Sequence, residues 1–264
     1  MRVNTVKRDL RQGKASVGTW LSLGSIVASR FLARAGFAWL TVDIEHTLVS
    51  WETACHMFAA IADAGCVPLA RVPANRHDHI KRALDNGAWG IVVPMVNSRE
   101  EAEAAVRAAL YPPRGTRSVG GNVHALNFGA SPQEYYARAD EEILIILQCE
   151  HIQAVRDADR IFSVPGIDAI FVGPNDLAAS MRTDDGKPPT PEAFEDTLQN
   201  VLQACKRHQV AAGLHCMSVE EASLRLAQGW QFVALASELR LMMDGVRHAL
   251  SALRMDTGGS WARY

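Results

Sequence analysis

The chain has 264 residues, 48% of them hydrophobic and 21% charged, and its 27 Lys+Arg against 29 Asp+Glu leave a net charge of -2. These proportions belong to a globular protein of one or two domains that fills its core without staples. They exclude the concentrated basic face a nucleic-acid binder needs. No apolar run nears the roughly 18 residues of a membrane span, and the N-terminal MRVNTVKRDLRQGK has no signal-peptide core. The five cysteines (Cys55, Cys66, Cys149, Cys205, Cys216) are odd in number and form no C-x-x-C. That usage favours a reducing cytoplasm over a disulfide framework or a structural zinc site.

Along the chain, short β-branched runs alternate with Ala-rich amphipathic ones. The predicted strands are VGTWLS from Val17, AWLTVDIEH from Ala38, VPLARV from Val67, WGIVVPM from Trp89, EILIILQCE from Glu142, IDAIFVGP from Ile167, VAAGLHC from Val210 and QFVALAS from Gln231. Several are continuously apolar, as strands buried on both faces of a parallel sheet must be. Between them lie helical patterns such as SWETACHMFAAIADAG, HIKRALDNG, SREEAEAAVRAALY, TPEAFEDTLQNVLQACKRH and SVEEASLRLAQG. Ser98 with Glu101 and Ser218 with Glu221 have capping-box spacing. Gly36, Gly65, Gly87 and Gly229 stand where a helix ends before a strand. YPPRGTRSVGGNVHALNFGASP and RTDDGKPPTP read as irregular loops, and MDTGGSWARY as a mobile or assembly tail from about residue 255. Eight strand–helix repeats in one chain of this length predict a single α/β domain, a (β/α)8 TIM barrel. An open doubly wound sheet is the alternative, but the G-x-G-x-x-G turn it wants is missing.

A barrel gathers the residues at its strand ends onto one rim. Those residues are Asp43, Glu45 and His46 after the second strand, Arg71 after the third, Gln148 and Glu150 at the fifth, and Asn175 and Asp176 after the sixth. Glu150 and Asp176, two hard oxygen donors on adjacent strands, suit Mg²⁺ or Mn²⁺. Alternatively, Asp176 caps the helix that follows it. Arg71 is placed to clamp a carboxylate or an oxyanion, or else to pair with Asp43 or Glu45. His46 is the candidate general base, since imidazole titrates near neutrality. His124, His151 and His215, at loops or strand ends, are more simply structural. His56, His77, His79, His208 and His248 fall on helical surfaces. Cys149 alternates with its neighbours along the strand and reads as an inert buried thiol. Lys14, Lys81, Lys187 and Lys206 lie away from strand ends, which disfavours Schiff-base chemistry. G-x-S-x-G and the P-loop are both missing.

The blocks GTWLSLGS, FAWLTVDIEHTLVSWETA, PLARVPAN, IKRALDNGAWGIVVPMVNSREEAEAAVRAALYPPRGTRSVGG, LQCEH and GIDAIFVGPNDLAAS strongly resemble the class II pyruvate-dependent aldolases of the HpcH/HpaI group. That group includes 4-hydroxy-2-oxoheptanedioate aldolase and 2-dehydro-3-deoxy sugar-acid aldolases. The resemblance runs from about Gly13 to Leu250. It implies a (β/α)8 barrel acting on a small 2-keto acid and an aldehyde, with Mg²⁺, Mn²⁺ or Co²⁺ as cofactor. It also implies a homohexamer, a trimer of dimers whose barrels exchange their last helix. By the same resemblance Glu150 and Asp176 are the metal ligands, and Glu45 holds metal-bound water. Arg71 contacts the keto oxygen, and His46 is the catalytic histidine, assisted by Asp85 from a neighbouring subunit. Trp20, Gln148 and the segment Gly173, Pro174, Asn175 and Asp176 would bind substrate. The chain departs from the group at His151, where relatives usually have threonine, and at NVHALNFGAS after SVGG. His215 also stands where some relatives are aliphatic. Two alternatives remain: an enolate formed by decarboxylating oxaloacetate, as in macrophomate-synthase-like enzymes, and a non-catalytic keto-acid-binding barrel.

Overall fold

The computed structural model describes residues 1–254; the predicted tail from about 255 lies outside them. Its strands are β1 (Ser16–Leu21), β2 (Trp39–Asp43), β3 (Val67–Arg71), β4 (Gly90–Val93), β5 (Leu144–Cys149), β6 (Ala169–Val172), β7 (Ala211–Cys216) and β8 (Phe232–Ser237). They close in sequence order into one barrel, and β8 pairs parallel with β1. Every residue of β2, β4, β5 and β6 is buried. This is why those runs are apolar on both faces. The expected (β/α)8 fold is therefore the one observed. No helix among the described residues is long and apolar enough to cross a membrane.

Helix ends follow the local chemistry. The hydroxyls of Ser25, Ser50, Ser98, Ser131, Thr190, Ser218 and Ser237 each accept an N–H from their helix's first turn. At the two predicted capping boxes the Ser bond is present, but the glutamate reaches one residue further back. Glu101 accepts from Asn97 N at 2.6 Å and Glu221 from Met217 N at 2.9 Å, so each carboxylate pins the incoming strand loop rather than the cap itself. Gly36, Gly65, Gly87 and Gly229 all have φ between 81° and 112°, as their helix-end positions require.

The stretch read as irregular after Tyr111 contains a short helix, Val123–Asn127, and runs into another, Pro132–Glu142. The first has no side-chain cap. It is held by tertiary contacts: Asn127 Nδ2 donates to Gly87 O at 2.9 Å, and Phe128 stacks on Trp89 with centroids 4.3 Å apart. The opposite mouth of the barrel is closed by the helix Thr5–Arg11. Just before it, buried Asn4 donates to Trp89 O and Glu142 O at 3.1 and 2.9 Å. Lys7 pairs with Asp168 at 3.0 Å. With that end plugged, the carboxyl-end mouth is where a ligand can enter.

Candidate active site

At that mouth lies a cavity of about 400 Å³, whose wall includes Trp20, Asp43, His46, Arg71, Gln148, Glu150 and Gly173 through Asp176. Nearly all the rim residues expected from the sequence thus meet in one place. Asp43 and Arg71 are register partners across β2 and β3, so parallel pairing puts both side chains on one face. Arg71 Nε donates to Asp43 Oδ1 at 2.9 Å and Nη2 to Oδ2 at 2.6 Å. Of the two sequence alternatives for Arg71, the structure shows the ion pair with Asp43, and it leaves the guanidinium facing the cavity. Asp43 Oδ1 also accepts from Glu45 N at 3.0 Å and His46 N at 3.3 Å. One buried carboxylate consequently aims the guanidinium and shapes the loop that carries His46. The Arg71 guanidinium carbon sits 4.6 Å from the Trp20 ring centroid, which fixes the other side of the fork.

Across the cavity, Gln148 and Glu150 lie two residues apart at the end of β5 and share its inner face. Glu150 Oε2 accepts from Gln148 Nε2 at 2.7 Å, and Oε1 accepts from Met95 N at 2.7 Å. Met95 adopts φ 53°, a left-handed conformation uncommon outside glycine. It turns the loop after β4 so that its N–H meets the carboxylate. Glu150 is only 3% exposed. Burial, with Asp176 and Glu45 nearby, pushes its carboxyl up to about 7 against the pull of the Met95 N–H. Burial also raises Glu45, with Arg71 opposing. Asp176 lies in the first turn of the helix Pro174–Ser180, whose cap is Gly173. Its carboxylate makes no hydrogen bond among the described residues, so the alternative of a capping role does not hold. A Cβ on Gly173 would come within 2.6 Å of Glu150 Oε2, so this position must stay bare for the carboxylate to occupy its place.

His46 is largely open, its side chain 61% exposed and Nε2 3.7 Å from Glu45 Oε2. Asp85 lies outside the cavity, at the end of the helix His77–Asp85. There its Oδ1 accepts from Arg117 Nη2 at 2.8 Å. His124 packs beside this pair, Nδ1 3.3 Å from Asp85 O. His151 is a helix cap, its Nδ1 accepting from Gln153 N at 3.1 Å. The cavity does reach His215, which lies 6.2 Å from Trp20 between ring centroids. Burial and the nearby Arg71 charge push its imidazole down to about 4, so it is neutral at physiological pH. Cys149 is buried with its thiol pushed up to about 12, consistent with an inert side chain facing the helices. Sequence reasoning passed over Ser22, Ser237 and Arg240 in the cavity wall, and the Met95 N–H. The strand alternation of β1 and β8 was visible, but not that a latch joins them: Glu238 accepts from Ser22 N at 2.7 Å and Leu23 N at 2.8 Å.

Comparison with known proteins supplies the family. A model of the HpcH/HpaI aldolase/citrate lyase family matches residues 16–245. The chain is 36% identical over 245 residues to a 2-dehydro-3,6-dideoxy-6-sulfogluconate aldolase of Pseudomonas putida, covering 93% of this chain and 95% of the relative. It is 36% identical over 249 residues to a hydroxypyruvate/pyruvate aldolase of Pseudomonas aeruginosa, covering 93% and 91%. The crystal structure of a family protein from Burkholderia cenocepacia J2315 superposes with a TM-score of 0.88 at 34% identity, covering 96% of this chain and all of that one. A barrel with this rim and these relatives belongs to the HpcH/HpaI aldolase/citrate lyase family of enzymes.

Proposed function

We propose that the protein is a metal-dependent aldolase that reversibly cleaves a 4-hydroxy-2-keto acid into an aldehyde and pyruvate, or a related 2-keto acid such as hydroxypyruvate. The observation that carries this reading is the meeting, across one cavity, of the Glu150 and Asp176 carboxylates and an Arg71 already aimed by Asp43. The names of its relatives, which act on a sulfonated sugar acid and on hydroxypyruvate or pyruvate, support the same bond cleavage.

The donor set fits Mg²⁺ or Mn²⁺, with Co²⁺ a further candidate. Among the described residues no three His, Cys, Asp or Glu gather as a closed cage. Two carboxylates would hold the ion and leave the remaining positions to water and substrate, the arrangement hard cations favour. Gln148 Oε1 is buried beside them without a donor, an acceptor suited to ordering metal-bound water. When bound, the cation supplies Lewis-acid polarisation of the keto oxygen.

The chain's own groups do the rest. The N–H groups opening the helix Pro174–Ser180 take the keto-acid carboxylate. Trp20 walls the planar fragment. Arg71 shares the negative charge that develops on the keto oxygen, and Asp43 has oriented it in advance. In cleavage, His46 takes the proton of the C4 hydroxyl as the C3–C4 bond breaks. The electron pair remains on the keto-acid fragment as its enolate, and protonation at C3 completes pyruvate. Glu45 holds water beside His46. Asp85, remote within its own chain, would support His46 only from a second copy, so this reading includes a homo-oligomer. Incubating the protein with pyruvate, Mg²⁺ or Mn²⁺ and D₂O tests the proposal by NMR: methyl protons should exchange, and chelator should stop the exchange. No exchange with any of these ions would falsify it.

A further inference from the structure

The cavity is larger than pyruvate needs, and its two sides differ in charge. The side formed by β2, β5 and β6 carries Asp43, Glu150 and Asp176 around Arg71. The other side, where β7, β8 and β1 meet, presents Trp20, Ser22, His215, Met217, Ser237 and Arg240. His215 is neutral there, and Glu238 is spent on the Ser22 and Leu23 N–H groups. Among the described residues, Arg240 is therefore the sole charged side chain of the cavity wall on this side.

Its charge is not cancelled. Arg240 Nε donates to Asp244 Oδ2 at 2.7 Å, but Asp244 also accepts from Arg247 Nη1 at 2.7 Å, so two guanidinium groups share one carboxylate. Neither Nη of Arg240 has a hydrogen-bond partner among the described residues. The other arginine of the wall differs, for Arg71 is already forked onto Asp43. Arg240 is placed by backbone geometry: Ala236 turns at φ 50°, and Ser237 Oγ accepts from Arg240 N at 3.2 Å. The cation thus stands on the first turn of the helix Glu238–Ala252, at the cavity's edge.

We propose that Arg240 determines specificity for the aldehyde half of the reaction, selecting aldehydes that carry a terminal anionic group, a carboxylate or a phosphate. This rests on the aldolase reading, which places the keto acid against the carboxylate side and leaves the β7–β8–β1 side for the aldehyde. A terminal anion there gains a charge-assisted bond to the free Nη atoms and stays away from Glu150 and Asp176. An uncharged chain gains neither.

Two matched pairs test it with the intact protein, pyruvate and Mg²⁺: succinic semialdehyde against 4-methylpentanal, and glyceraldehyde 3-phosphate against glyceraldehyde. We expect kcat/KM to favour the charged member of at least one pair by about 10- to 100-fold, as a partly exposed charge-assisted bond allows. Which pair shows it identifies the anion. In Arg240→Met the ratio should fall to near one, and in Arg240→Lys it should be partly retained. A wild-type ratio near one in both pairs overturns the proposal, as does a Met variant that keeps the preference. Pyruvate proton exchange, run in parallel, separates the two levels. Exchange without charge preference removes this proposal alone, whereas no exchange removes the aldolase reading and this proposal with it.

Discussion

At Glu150, burial and charge work against each other. With its carboxyl near 7 in the metal-free chain, against 4.5 for an ordinary glutamate, the folded state holds a proton through that window which the unfolded state has released. Metal-free stability should therefore fall as pH rises from about 4.5 to about 7, by up to about 3 kcal/mol at the linkage limit, and thermal melts across that range read the slope. Binding of the proposed metal should have the opposite sense, because the ion would displace the proton. Mn²⁺ affinity should weaken about tenfold per pH unit below 7, as competition for one site requires, and titration calorimetry at pH 6 and 8 measures it. Gly173→Ala should weaken the ion further, since the added Cβ displaces a carboxylate oxygen that Gln148 otherwise steadies. Arg71→Lys keeps a charge but loses the fork onto Asp43, and kcat should drop about 10²- to 10³-fold with the fold intact. The roles of Glu150, Asp176 and Arg71 were proposed from the sequence because strand-end positions converge by rule. The Arg71–Asp43 pair stands in the sequence only as the alternative to a clamping role; that the same pair aims Arg71 at the cavity needs the register of β2 with β3.

At the scale of elements, each strand was legible, though several predicted runs overshoot the observed ends by two or three residues. An interior parallel strand must be apolar on both faces, and no other element in this chain reads as LIILQC or AIFV. The helix Val123–Asn127 was not legible, because its stability comes from Asn127 and Phe128 meeting residues some forty positions earlier. The same holds for the plug formed by Asn4 and the helix Thr5–Arg11. Asn4→Ala removes two bonds to buried carbonyls and should cost about 2 to 3 kcal/mol. The loss should appear as a lower Tm, while kcat/KM measured well below the transition stays near wild type, since the plug closes the mouth opposite the site. Equal loss of both would show that the two ends of the barrel are coupled.

The whole molecule poses a question of assembly. Arg117 is fully buried and Asp85 pairs with it at 2.8 Å, so the aspartate has a structural duty in its own chain. Support of His46, in the proposed mechanism, would have to come from the Asp85 of a second copy. Mixing is the direct check. His46→Ala and Asp85→Asn subunits, each inactive as homo-oligomers, should recover up to about a quarter of wild-type activity after co-refolding, the statistical share of sites with both groups intact across a symmetric interface. The asparagine keeps an oxygen for Arg117, so failure to recover would speak against trans support rather than against folding. Composition had nothing to say here. A net charge of -2 is blind to which carboxylates face one another across a barrel or between copies.

The Met95 N–H at Glu150 has a consequence for how this site changes over generations. A donor supplied by the main chain is not encoded by any one side chain, so it passes unharmed through replacements that would delete a hydroxyl or an amide. What the codon at position 95 does control is tolerance of the left-handed turn. Drift there should be wide toward glycine and asparagine and nearly closed to valine, isoleucine and proline. The carboxylate's anchor is thus written in a torsion angle rather than in a functional group.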